Sequence, residues 1–426
     1  VNPRSTILIV SSCWWAFPAR LAMAFASAGH RVEAACPAHH PLYETKAVRT
    51  VHRYSALRPL RTLARAIRKA DPALIVPCDD RAIAHLHALH ASGHSAVLNG
   101  VIERSLGAPK SFSAIDRRAD LIEIARLEGI RAPEMMLVET EDELKAAIER
   151  VGLPAVMKVD GTWGGLGVKI VHSPAEAMKA LRTMTRPVGP ARAFKRLMVD
   201  RDPFFLLPAA AGTRPAVNIQ RFVEGTPANS AVACWNGEIL ASISVVAMRT
   251  RGAQGASTVV RVIDHPEMAE ASAKLVRRLG LSGFCGFDFL LEAGSCAAHL
   301  IEMNARTTPI SHLALSEGRN LVAAITTRLD GVTAICPTPA ITQDVIAFFP
   351  QAWLLEPHSD LLYSGYHDIP WGEQALVREL MKLPWTERSF LARLLSRLRQ
   401  STGTTSLSTL PVHYGPATSA DISARL

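Results

Sequence analysis

Short apolar runs alternate with amphipathic stretches over the first part of the chain. Ser5–Ser12, STILIVSS, reads as a β-branched strand, Phe17–Gly29 as a helix ended by glycine, and Arg31–Cys36 as a second strand. A helix over Leu60–Lys69 and a strand over Ala73–Val76 follow. This β-α-β-α-β order predicts a parallel sheet with helices on its faces, and the loops at the carboxyl ends of such strands line ligand crevices. Two turns fall there, Ser11–Trp15 and Pro77–Asp80.

A new pattern starts near residue 110. Ser113 is placed to cap a helix that runs to Glu128 and is closed by Gly129. A strand over Glu134–Val138, a helix over Glu141–Arg150 and a strand over Pro154–Val159 come next, then the loop Asp160–Gly167 and a strand ending at Val171. Further on, the apolar runs Phe284–Leu291 and Ala297–Met303 flank an Ala-Gly-Ser-Cys segment and predict a β-hairpin. Alternation puts Glu302, Asn304 and Arg306 on one face of the second arm. An odd-numbered loop, such as Gly294–Cys296, would set Asp288 directly across from Glu302, and an even one would set them on opposite faces. Beyond Pro337 a strand over Gln343–Phe349, helices over Trp371–Lys382 and Thr386–Arg399, and a loose polar tail from Ser401 complete the chain. The expected division is 1–110, 111–336 and 337–426.

Composition narrows the function classes. A chain of 426 residues, 48% hydrophobic and 20% charged, supports two or three domains around sizeable cores. No signal-peptide layout is expected from the first residues, and no apolar run approaches the ~20 residues of a membrane span. Seven scattered cysteines argue for a reducing, cytoplasmic setting rather than a disulfide framework. A formal charge of +9 suits polyanionic partners, yet no aromatic-basic interleaving marks a nucleic-acid module. No dinucleotide glycine fingerprint appears. The histidines at 85, 87, 90 and 94 show no third metal ligand and read as a polar helix face.

Two groups of residues carry chemistry. Paired carboxylates at Asp288 and Glu302 repel unless a proton or cation lies between them, and with the Asn304 carbonyl they suit a hard ion, magnesium before zinc. The bland alternative is a solvated strand face. Lys158, at a strand end before the glycines at 161, 164, 165 and 167, is a phosphate device, although its order differs from a Walker loop. A structural glycine hairpin is the competing reading.

In sequence order, Asp116-Arg117, Lys158 with its glycine loop, Ile219–Gly225, Asp288 and Glu302–Arg306 resemble the ATP-grasp superfamily, which includes biotin carboxylase, carbamoyl-phosphate synthetase and D-alanine:D-alanine ligase. The resemblance covers about residues 1–330. It implies an α/β architecture: an N-terminal Rossmann-like parallel-sheet domain, a lid subdomain at about 132–222, and an antiparallel-sheet catalytic domain. By the same resemblance, Arg117 and Lys158 would hold ATP phosphates, Gly164, Gly165 and Gly167 would close over them, and Gln220, Arg221, Phe222 and Val223 would form the hinge that meets adenine. Asp288, Glu302 and Asn304 would bind Mg²⁺ (or Mn²⁺), and Arg306 would reach the transferred phosphoryl group. Arg221 stands where the family commonly has an acidic residue, and Pro227-Ala228 where it has a ribose-binding glutamate. The implied activity is an ADP-forming ligation of a carboxylate to an amine through an acyl phosphate. Activation of bicarbonate or carbamate, and ATP sensing without turnover, are the alternatives. Arg249, Arg251, Ser257, His312, Asp79 and Asp80 are the candidate substrate residues. The expected partners are small molecules, with a homodimer left open.

Overall fold

The parallel sheet expected at the start of the chain has four strands. β1 (Arg4–Val10), β2 (His30–Cys36), β3 (Val48–Arg53) and β4 (Leu74–Pro77) are ordered β3-β2-β1-β4 and all run parallel. The computed structural model describes residues 4–93, 95–160, 167–187, 189, 194, 204, 212, 214–252, 255–331 and 340–382. Alternation divides β1 between two cores: Ile7 and Ile9 pack with Phe25 of α1 (Pro18–Ser27), and Leu8 and Val10 with Leu63 and Ile67 of α2 (Pro59–Ala70). β3 is absent from the sequence reading because VRTVHR mixes charge with β-branched residues, as an edge strand does.

After β4 come α3 (Asp80–Ala91) and α4 (Ala96–Leu106). The α3 histidines take separate partners: His85 meets the Tyr54 hydroxyl at 3.1 Å, His87 meets Asp116 at 3.0 Å, and His90 meets Glu103 at 2.8 Å. His94 lies outside the described residues. His87 departs from the polar-face expectation, being buried and stacked on Phe112 with ring centroids 4.0 Å apart.

The helix expected over Ser113–Glu128 is broken into α5 (Phe112–Ile115) and α6 (Arg118–Leu127), and Ser113 caps neither piece. Asp116 sits in the break and pairs with His87. An antiparallel sheet follows, in the order β5-β8-β6-β7: β5 (Met135–Val138), β6 (Ala155–Val159), β7 (Val168–Val171) and β8 (Val217–Arg221). Two helices cover it. α7 (Glu141–Val151) starts with a Thr140/Glu143 capping box, and α8 (Pro174–Met184) is capped by Ser173.

The largest sheet has seven strands ordered β13-β12-β9-β10-β11-β14-β15. They are β9 (Gly225–Trp235), β10 (Glu238–Thr250), β11 (Ser257–Ile263), β12 (Gly283–Glu292), β13 (Ala298–Asn304), β14 (Val345–Phe348) and β15 (Tyr366–Asp368). β14 docks on β11 through Val260–Ile346, so the residues expected as an extension begin inside the main sheet. Helix Gln374–Met381 stands for the one expected over Trp371–Lys382, while Thr386–Arg399 and the tail from Ser401 lie outside the described residues. Among the described residues no helix is long and apolar enough to cross a membrane.

Candidate functional site

The β12–β13 hairpin reaches the expected pairing by another route. Four residues, 293–296, separate Glu292 from Ala297, whose carbonyl accepts from the Glu292 N–H at 3.0 Å. This even loop alone would put the carboxylates on opposite faces. A bulge corrects the register: Phe289 pairs with Leu300 but Asp288 pairs with Glu302, leaving Ile301 as the extra residue. Loop parity alone leaves the pairing open; the strand bulge settles it. The register continues across the sheet as Glu302, Asp288, Asn229 and Val245 on β13, β12, β9 and β10.

Asp288 accepts from the amides of Asn229 and Asn304, each at 2.7 Å. Burial, followed by the charge of Glu302, pushes its carboxyl up to about 6. The Asn304 carbonyl oxygen in turn accepts from Arg306 Nη2 at 2.9 Å. Arg306 also donates from Nε and Nη2 to the two oxygens of Asp80, at 2.7 and 3.3 Å. Asp80 opens α3, so this ion pair ties the β12–β13 hairpin to the end of the parallel sheet. The loop after β13 lies close on the hairpin: a Cβ at Gly286 would stand 2.2 Å from Thr308 Cγ2, so only glycine leaves room for it.

Lys158 enters from the four-stranded antiparallel sheet. Its side chain is buried at the end of β6, with Nζ 3.5 Å from the carbonyl of the bulge residue Ile301. Burial lowers its pKa, with Arg118 adding to the effect, while Glu302 and Asp288 act the other way. Arg118 joins all three parts, donating to Glu302 Oε1 at 2.9 Å and to the Val159 carbonyl at 3.1 Å, with Nε 3.8 Å from Asp160. Asn218 holds Asp160 at 2.9 Å, and burial raises the Asp160 pKa.

Several expected positions fall elsewhere. Arg117 points outward, with its side chain 75% exposed and 3.5 Å from Asp120; the inward guanidinium belongs to Arg118. The signal was present, since Arg118 shares a helical face with buried Leu121, Ile122 and Ala125. Gly164 and Gly165 lie outside the described residues, and Gly167 accepts from the Val159 N–H at 3.0 Å. Gln220 is buried with its Nε2 unpartnered among the described residues. Arg221 turns its Nη2 to the Arg150 carbonyl, while Phe222 and Val223 line the cleft.

Of the substrate candidates, Ser257 lines the cleft. Arg249 is exposed and lies 3.7 Å from Glu356, and Arg251 is exposed at the hairpin tip, so neither clamps an anion there. His312 turns into the interior, where Asp368 receives it at 3.1 Å and Arg20 at 2.9 Å. Burial would raise the Asp368 pKa, but these two partners outweigh it and hold it below the usual carboxylate range. Asp79 caps α3, accepting from Ala82 N at 2.9 Å and from both the N–H and the hydroxyl of Ser12 at 2.6 Å. It has little capacity left for a substrate amine.

The cleft between the four-stranded antiparallel sheet and the seven-stranded sheet holds roughly 2080 Å³, counting its open mouth. Lys158 and Gln220 line one wall, and Asn229, Asp288, Glu302 and Arg306 the other.

Comparison with known proteins agrees with this architecture. Residues 116–202 match the family "Carbamoyl-phosphate synthase L chain, ATP binding domain". The carbamoyl phosphate synthase large chain of Rubrobacter xylanophilus is 25% identical over 64% of this chain and 25% of its own length. The chain thus spans about a quarter of the length of the curated relatives it matches. A carboxyaminoimidazole ribonucleotide synthase from Aspergillus clavatus, solved with ATP, is 17% identical with a TM-score of 0.55, covering 80% of each chain. The biotin carboxylase domain of a Hydrogenobacter thermophilus 2-oxoglutarate carboxylase, solved with MgADP and bicarbonate, is 12% identical with a TM-score of 0.52, covering 76% of this chain and 69% of that one. The chain shares the fold of these ATP- and ADP-bound structures and is similar in part of its sequence to carbamoyl phosphate synthase large chains.

Proposed function

We propose that this chain is an ATP-dependent, ADP-forming ligase that activates a carboxylate as an acyl phosphate for attack by an amine. The reading is carried by one observation: Lys158 from the lid sheet, the Asp288–Glu302 pair and Arg306 meet in one cleft, although they are far apart in sequence.

Lys158 would hold a phosphate oxygen of ATP, and the unpartnered Gln220 amide would donate within the nucleotide end of the cleft. The donor set also fits Mg²⁺. Two carboxylates face each other across the strand register, and magnesium is usually held by one or two carboxylates together with substrate phosphates. The same two carboxylates disfavour each other's charge without a cation. Bound there through Asp288 and Glu302, with Asn304 joining once its amide turns its oxygen from Arg306, the ion would supply neutralisation of the β- and γ-phosphates.

The chain's own residues account for the rest. Asp80, Asn304 and the Thr307 carbonyl take all but one of Arg306's five N–H groups and hold the guanidinium over the carboxylate pair, with one Nη1 hydrogen left to donate. Charge that develops on the transferred phosphoryl group would be met there by a donor already in place. The carboxylate oxygen attacks the γ-phosphorus and ADP leaves; the amine then attacks the acyl carbon and releases phosphate. Arg118, bridging Glu302 and the lid strand, would couple lid position to the carboxylate pair.

Bicarbonate as the activated acid is the second reading, favoured by the likeness to the biotin carboxylase domain. ADP release separates the two when measured with Mg–ATP and either bicarbonate alone or carboxylate–amine pairs. Release that requires an organic acid supports the ligase, and release with bicarbonate alone supports the alternative. Mg–ATP binding without release under any of these conditions would make the protein a nucleotide sensor.

A further inference from the structure

Building on the ligase reading, we propose that the acid this site takes carries an apolar side chain, aromatic or branched aliphatic, seated against Trp15, Val245, Ala247, Val260 and Phe348. These residues line the same cleft as Lys158 and Arg306, but on β10, β11, β14 and the turn after β1, away from the strand where Lys158 docks.

The sheet face changes character along a single register row. Glu302, Asp288 and Asn229 are polar; Val245 and its partner Val262 are not. Val245 is two strands from Asp288, roughly 10 Å at the usual strand spacing. That is the reach of a side chain whose carboxylate sits at the phosphoryl group. Trp15 extends the wall from the parallel sheet. It stands edge-on to Phe17 at 5.6 Å, and Phe17 stands edge-on to Phe348 at 5.6 Å. The turn that carries Trp15 is fixed from below, because Asp79 binds Ser12 twice at 2.6 Å and the Ser11 hydroxyl at 3.0 Å.

Charge excludes the main competitors. Among the described lining residues the cations are Arg118, Lys158, Arg221 and Arg306; none belongs to this wall, and Arg249 is turned toward Glu356. A phosphorylated acid or a diacid would find no second cation among the described residues at this end. Bicarbonate has no apolar part for the wall to recognise.

Calorimetric titration of the Mg–ADP-loaded protein with phenylalanine, leucine, alanine, aspartate and bicarbonate tests the assignment without requiring turnover. Phenylalanine or leucine is expected to bind at least about tenfold tighter than the other three, the scale at which apolar pockets discriminate. Trp15→Ala and Phe348→Leu are each expected to remove most of that preference while Mg–ADP affinity, which also reports folding, stays within about twofold. Equal or tighter binding of alanine, aspartate or bicarbonate overturns the assignment, as does no binding of any of the five. Unchanged phenylalanine affinity in both variants does the same. ADP release with aspartate or bicarbonate but with no apolar acid leaves the ligase reading standing and removes this one; tight apolar binding without ADP release does the reverse.

Discussion

Replacing Asp288 with asparagine sets stability against function in a way the site geometry makes quantitative. Asp288 titrates near 6 in the folded chain against a reference of 3.8, a rise of two units that corresponds to roughly 3 kcal/mol. The side chain keeps some exposure to the cleft, which reduces the expected effect to about 1–2 kcal/mol. For an acid whose folded pKa is raised, the stabilising contribution is fully present below the unfolded value, here 3.8, and is lost as pH rises through the folded value, about 6. The Asp288→Asn variant lacks that loss. It does set an N–H₂ group against the amide of Asn229 or Asn304, at a cost of about 1 kcal/mol that does not vary with pH. Without ligand, the Tm of the variant relative to the native chain is therefore expected to climb by about 1–2 °C between pH 4 and pH 7 and then level off. Mg–ATP at a hundred times its Kd stabilises the native chain by about 2.7 kcal/mol. The variant should gain little of this, so the order of stabilities inverts at pH 8. Scanning calorimetry at pH 4, 7 and 8, with and without Mg–ATP, reads the whole pattern. A Tm difference independent of pH, or equal stabilisation of both proteins by Mg–ATP, would refute the reasoning.

Three further substitutions probe separate parts of the account. Arg118→Ala frees Glu302 and should lower the rate of ADP formation at least about tenfold, whereas Arg117→Ala, at an exposed surface pair, should leave stability within about 0.5 kcal/mol and the rate unchanged; steady-state kinetics on both variants decides which arginine serves the site. Lys158→Met should reduce ADP formation by about 10²–10³ while the melting temperature stays level or rises, since burial already disfavours the ammonium it removes. Asp368→Asn strips Arg20 and His312 of their shared buried partner and should cost about 3–5 kcal/mol in urea unfolding; a loss under 1 kcal/mol would show that the pair is energetically minor.

What the sequence made legible follows from periodicity. β1 and β4 announce themselves through dense β-branched or aliphatic runs, because burial on both faces leaves little room for polar residues, and the hairpin arms through apolar positions on their buried face. β3 stayed hidden because an edge strand tolerates Arg49, His52 and Arg53. At the site, Asp288, Glu302, Asn304, Arg306 and Lys158 stood out as charged or amide residues interrupting apolar strands. Asn229 did not, because an amide among small residues reads as surface, and only the register shows it beside Asp288. The bulge at Ile301 left no local trace either; it compensates a loop whose length depends on how Cys296 and Gly294 turn, both at positive φ. His312 and Asp79 looked like site residues because polar groups near a crevice generally are. Their roles were fixed by partners distant in the chain, Asp368 and Ser12.

The most direct test is a crystal structure with Mn²⁺ and a non-hydrolysable ATP analogue, read by manganese anomalous scattering. The account predicts the metal peak between Asp288 and Glu302, with the terminal phosphate in reach of Lys158 and Arg306. A metal peak away from that carboxylate pair, or a triphosphate bound outside the cleft, would contradict it.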